Sequence, residues 1–142
     1  MTHDFEVQKQ ETFWVWSDIS TRNPNLPDKI NLDIQFLETS TNSDKDSFKA
    51  SLEEAGFSVV FYEEDGTIEA SVNMIDASAG AVWSHEKRAT KLALIHGFKP
   101  DGWGFFTNYS LRFAWAQADL NQLGPKTVFG AGSIITKRPF FI

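Results

Sequence analysis

A chain of 142 residues with 42% hydrophobic and 23% charged residues has the length and balance of one globular domain with its own core, so neither wholesale disorder nor a second domain of ordinary size is expected. Its formal charge of -6 comes from 19 acidic and 13 basic side chains with no Lys/Arg cluster, which disfavours direct nucleic-acid binding by counterion release and fits either a basic protein partner or the mild acidity that serves solubility alone. The lack of cysteine excludes disulfides, thiolate zinc sites and cysteine nucleophiles.

Aromatic residues reach 14%, with 13 Phe, 5 Trp and 2 Tyr, which implies a large aromatic core, an aromatic surface for a partner, or both. Met1 to Glu6 carries neither the basic residues nor the apolar run of a signal peptide. No stretch approaches the ~18 consecutive apolar residues of a membrane span, so a cytoplasmic protein without membrane contact is expected.

The first segment of strong character is Thr12-Phe13-Trp14-Val15-Trp16, a β-prone aromatic run read as an N-terminal strand. Turn residues from Thr21 to Asp28 separate it from Lys29 to Glu38, where Ile30, Leu32, Ile34 and Phe36 alternate with Asn31, Asp33 and Gln35. That period of two predicts a half-buried strand. Cap residues and acids then predict a helix starting near Asn42 or Ser43, its apolar stripe formed by Phe48, Leu52 and Ala55 and its end marked by Gly56.

Phe57 to Glu63 is a second strand of this frame, and the Asp65-Gly66 pair predicts a tight hairpin into a third, Thr67 to Ile75. There Ile68, Ala70, Val72 and Met74 alternate with Glu69, Ser71 and Asn73. A longer helix is predicted from about Ala81 to His96, with Val82, Ala89, Leu92, Ala93 and His96 near one stripe and Gly97 as its stop. Phe98 to Thr107 completes the frame as a fourth strand.

This order predicts an α+β fold, a ferredoxin-like βαββαβ two-layer sandwich: an antiparallel sheet with two helices on one face, plus the N-terminal strand and a C-terminal extension. The single domain spans 1–142, the ferredoxin-like core 29–107 and the extension 108–142. Within the extension, Tyr109 to Leu123 reads as a helix ended by Gly124-Pro125, and Lys126 to Thr136 as a glycine-interrupted strand. The apolar end Pro139-Phe140-Phe141-Ile142 is expected to dock on the domain or meet a partner.

The most distinctive stretch is Asp101-Gly102-Trp103-Gly104 in the fourth strand. Glycines weaken strands, so two of them around a tryptophan imply a bulge or a close backbone approach that aims the indole at the helix expected from Ala81 to His96. Asp101 and Trp103 are also candidates for a recognition face, tryptophan being frequent at binding hot spots. Glu53, Glu54, Glu63, Glu64 and Asp65, with Glu69, form a candidate acidic patch, the alternative being a solvated helix face and hairpin tip. His85-Glu86 lacks a second histidine at metal-binding spacing, His96 reads as a capping or half-buried residue, and no serine falls in a triad pattern. No catalytic residue, metal or cofactor is therefore expected.

The strand from Lys29, the helix with Phe48 and Leu52, the Glu54-Ala55-Gly56-Phe57-Ser58-Val59 junction and His96-Gly97-Phe98 followed by Asp101-Gly102-Trp103-Gly104 together resemble the regulator of ribonuclease E activity B family, over about residues 29 to 107. The resemblance implies a ferredoxin-like order and a small acidic cytoplasmic protein that binds ribonuclease E and restrains RNA decay. Pro100 stands where the family has a tyrosine, and the family's acidic tail has no counterpart. The leading expectation is a non-enzymatic protein-binding regulator, like inhibitors of ribonuclease activity. The alternatives are an immunity protein that neutralises a co-encoded toxin nuclease and a small-ligand binder or enzyme.

Overall fold

The computed structural model describes residues 3–39, 42–107 and 133–136, and within them the chain runs α1 (Phe5–Arg22), β1 (Lys29–Glu38), α2 (Lys45–Glu54), β2 (Ser58–Tyr62), β3 (Thr67–Asp76), α3 (Ala79–Ile95), β4 (Phe98–Phe106) and β5 (Ser133–Thr136). The sheet order is β2-β3-β1-β4-β5, every neighbouring pair antiparallel. Each of the units β1-α2-β2 and β3-α3-β4 is thus split by one strand of the other, which is the ferredoxin-like arrangement. β5 lies within the strand expected at 126–136, while the expected helix at 109–123 and the apolar end at 139–142 lie outside the described residues.

The N-terminal strand is corrected to a helix of 18 residues, which brings the helices among the described residues to three. Asp4 caps α1 by accepting from the Val7 N–H at 3.1 Å, Glu6 sits in the first turn and Arg22 in the last, so both ends of the helix dipole are complemented. Its buried positions are Gln8, Thr12, Trp16 and Ile19, spaced i, i+4, i+8, i+11. Half of that face is polar, so the hydrophobic periodicity of a helix is absent and only the short aromatic run shows.

The core forms where the alternating faces of the strands meet the helices. Ile30, Leu32, Ile34 and Phe36 of β1 are fully buried, as are Phe48 and Leu52 of α2, Ile68 and Ala70 of β3, and Val82, Ala89 and Ala93 of α3. The Phe48 ring meets Phe36 edge-on at 5.3 Å and Phe98 at 4.8 Å, so one helix side chain ties the central strand to β4. Burying each such ring contributes about 1.5–3 kcal/mol.

Two connections differ from expectation in detail. α2 begins at Lys45 after its cap residue Asp44, whose carboxylate accepts from the Ser47 N–H, two or three residues later than Ser43 or Asn42. The β2–β3 connection is a four-residue loop, since Tyr62 pairs with Thr67 and the Gly66 N–H donates to the Tyr62 carbonyl. Asp65 turns the chain by accepting from the Thr67 N–H, so the Asp-Gly pair ends a wider loop instead of making a two-residue turn.

The end of α3 is clamped to the approach to α2. Gly97 has φ +84°, and a Cβ there would lie 2.7 Å from the Ser43 Cα. The Gly97 carbonyl accepts from the Thr39 N–H and the His96 carbonyl from the Asp44 N–H, both at 2.9 Å. Only glycine fits this close crossing. His96 itself is the C-cap residue of α3, half-buried and stacked on Phe48.

The Asp-Gly-Trp stretch proves to be a bulge. Ile34 pairs with Trp103 and Phe36 with Pro100, so the step of two residues along β1 is matched by three along β4, and Gly102 takes φ +102°. The extra residue switches the parity of the strand. Phe98 can therefore pack on α2 while Trp103 and Phe105, at odd offsets from it, join the same core, Phe105 meeting Trp16 of α1 at 5.4 Å.

Candidate functional site: a groove between α1 and β4

Where α1 and α3 pack together, their touching faces are polar. Gln8 Nε2 donates to Glu86 Oε2 and to Thr90 Oγ1, both at 3.0 Å, and Thr12 Oγ1 donates to Glu86 Oε1. His3 Nε2 lies 2.7 Å from Gln8 Oε1 and donates to that amide oxygen. Gln8, Thr12, Glu86 and Thr90 are all buried, Glu86 to 4% exposure. Burial pushes the Glu86 carboxyl up to about 7, against the lowering effect of the Thr12 and Gln8 hydrogen bonds and with a further push from the charge of Glu11.

This network forms the back of a groove of about 690 Å³. Val7, Glu11 and Trp14 of α1 line one wall, and Lys99, Asp101 and Trp103 of β4 line the other. Trp14 is 72% exposed on the rim. The bulge at Gly102 turns Trp103 into this space, and Trp103 stacks on Phe105 at 6.4 Å between centroids. Among the described residues four carboxyl groups border the groove, those of Asp4, Glu11, Glu86 and Asp101, against one lysine, Lys99. Aromatic walls and net negative character are the chemistry of a site for a cation on an apolar stem.

The structure divides the candidate residues from the sequence among three places. Asp101 and Trp103 share the groove, Asp101 half-buried and Trp103 4% exposed. Glu53 and Glu54 are exposed at the end of α2, where Glu53 lies 3.8 Å from Lys49 Nζ. Glu63, Glu64 and Asp65 are exposed in the β2–β3 loop at the other end of β2, roughly 13 Å away along a five-residue strand. Lys45 Nζ lies 4.4 Å from the Phe61 ring near that loop, and Glu69 accepts from the Tyr62 hydroxyl. Three strand spacings, about 14 Å in all, separate β2 from β4. The acids expected as one patch thus occupy separate places, because adjacency in sequence spans the whole length of β2.

His85 and Glu86, adjacent in sequence, face different neighbours. Arg88 Nη2 donates to His85 Nδ1 at 2.8 Å and the His85 ring meets Phe57 edge-on. Burial and the Arg88 charge hold His85 below its ordinary value. Among the described residues no three histidines, aspartates or glutamates are grouped to hold a metal ion.

Gln8, Thr12, Trp14 and the role of Glu86 are not singled out by the sequence reading. The signal present is the i, i+4 spacing of Gln8 with Thr12 and of Glu86 with Thr90, each interrupting an apolar stripe. Matching polar steps on two helices are the mark of a buried polar interface.

The fold places the chain in the class of α+β proteins with a ferredoxin-like core, here extended by α1. No protein-family model matches the chain, and neither does any curated protein. No helix among the described residues is long and apolar enough to cross a membrane.

Proposed function

We propose that this chain is a non-enzymatic cytoplasmic protein-binding regulator whose recognition face is the groove between α1 and β4, with a basic protein, such as a ribonuclease, as its partner. The observation that carries this reading is Trp14, 72% exposed beside a groove bordered by four carboxyl groups and one lysine among the described residues. A large exposed aromatic is a feature of binding hot spots, and acidic surroundings steer a basic partner to it. The net charge of -6 and the sequence resemblance to a family of ribonuclease regulators point the same way.

Capture from the native cell with wild type, Trp14→Ala and the triple variant Glu63→Gln/Glu64→Gln/Asp65→Asn tests it. A basic protein recovered with wild type and the loop variant but lost with Trp14→Ala is the expected result. Loss with the loop variant and retention with Trp14→Ala would move the recognition face to the hairpin and refute the proposal.

A second reading is favoured by one observation, the Glu86 carboxyl held at about 7 at the back of the groove. A carboxyl of that kind in a groove is suited to proton transfer or to binding a small cationic ligand. Turnover that is abolished by Glu86→Gln in a folded protein would establish it.

A further inference from the structure

The occupant of the groove can be specified from its walls. Trp14 offers an exposed indole face to a flat group, Trp103 is the buried aromatic of the β4 side, and Asp101 on β4 and Glu11 on α1 border the same space as carboxylates. Glu86, at the back, already accepts one hydrogen bond on each oxygen, so each oxygen keeps further lone-pair capacity. Lysine and arginine both carry apolar stems suited to Val7 and Val15 on the α1 side. Arginine adds a planar head with five donors that stacks on aromatic faces while bonding to several carboxylates at once.

We infer that the groove is a receptor for an arginine side chain presented by the partner protein, its guanidinium stacked on Trp14 and bonded to the carboxylates of Glu86, Asp101 and Glu11. This inference rests on the reading of the groove as the protein-binding face. The buried Gln8 amide and Thr12 hydroxyl position Glu86 for the role, each fixing one carboxylate oxygen. Trp14 supplies the exposed aromatic face, and the strand bulge at Gly102 sets the buried Trp103 among the lining residues of the groove.

Binding should follow the ionisation of the carboxylates. His3, Asp4 and Glu11 from the α1 side and Lys99 and Asp101 from β4 face the same space, with Thr90 the neighbour on α3. Glu86, behind them, has its carboxyl raised by burial to about 7. A ligand that needs it ionised binds about tenfold more tightly at pH 8 than at pH 6, since the competent fraction rises by about that factor.

The test is a titration of the full chain with Nα-acetyl-arginine amide, followed by NMR of the five tryptophan indole N–H signals, with Nα-acetyl-citrulline amide as the neutral isostere and Nα-acetyl-lysine amide as the second cation. Saturable shifts of the Trp14 and Trp103 signals with the arginine probe, weaker ones with lysine and none with citrulline are expected. The pH effect should disappear in Glu86→Gln, which keeps the hydrogen-bonding shape. Equal response to citrulline, or shifts confined to Trp16 or Trp83, would overturn the inference. If the arginine probe leaves Trp14 and Trp103 unmoved while Trp14→Ala still abolishes partner capture, the inference falls and the groove reading stands. If Trp14→Ala leaves partner capture intact, both fall.

Discussion

Replacing Glu86 by glutamine should remove a pH dependence of folding. The native state holds a proton on Glu86 up to about pH 7, whereas the unfolded chain releases it near 4.5. Stability from that proton is fully present below pH 4.5 and is lost as the pH rises toward 7. The interval from 4.5 to 7 at about 1.4 kcal/mol per pH unit corresponds to roughly 3–4 kcal/mol. The figure applies to a group only 4% exposed, so solvent screening takes little from it. A glutamine amide at this position would accept from Gln8 and donate to Thr12 without titrating. Urea unfolding of both proteins at pH 5 and pH 8 measures the effect: wild type should lose about 2–3 kcal/mol more than Glu86→Gln between those values. Parallel losses in the two proteins would refute the reasoning, because they would show that burial does not raise the Glu86 carboxyl.

Trp103→Ala should cost about 3–5 kcal/mol, the ring being buried against Phe105, whereas Trp14→Ala should stay within about 0.5 kcal/mol, its ring lying on the surface. Denaturant unfolding of the pair checks both. Gly97→Ala should destabilise by at least about 2 kcal/mol, since it combines a left-handed residue at φ +84° with a 2.7 Å approach to the Ser43 backbone. An unchanged melting temperature would contradict that crossing. Met74 is the one residue other than glycine with positive φ among the described residues, at 57°, and its side chain is 62% exposed. Its left-handed strain of about 1–2 kcal/mol exceeds the entropic cost of glycine, so Met74→Gly should stabilise by about 0.5–1 kcal/mol. A loss of stability in that variant would show that the Met74 side chain contributes packing on the sheet.

The βαββαβ frame is legible in the sequence because β1 alternates cleanly and the helices carry caps, whereas the expected core face of β3 holds at Ile68 and Ala70 and breaks at Met74, which is 62% exposed while Ile75 is buried. In β1, Ile30, Leu32, Ile34 and Phe36 all face the core, as a period of two requires. Asp44 and Ser78 cap the helices that follow β1 and β3. α1 is illegible for a physical reason: its buried face includes Gln8 and Thr12, which pack because Glu86 and Thr90 meet them from α3. A partner 74 to 82 residues away leaves no local trace. The strand propensity of Phe13 to Trp16 then dominates a short window, although the tertiary contact decides the outcome.

The candidate site is half legible. Asp101 and Trp103 stand out by their glycines, and the bulge those glycines imply is present. Trp14 falls in the segment that reads as a strand, so its place on the rim of the groove is hidden together with the helix. The acidic patch rests on sequence neighbours that β2 holds apart. Charge along a chain becomes a surface feature only after the strand directions are known.

The claim that the groove is the recognition face is tested most directly by photo-cross-linking in the native cell, with p-benzoyl-phenylalanine in place of Trp14 and, separately, in place of Val60. Val60 is 48% exposed on the edge strand β2, three strands away from β4. A covalent adduct with a basic protein from position 14, and none from position 60, is the predicted result. An adduct from position 60 with none from position 14 would contradict the account.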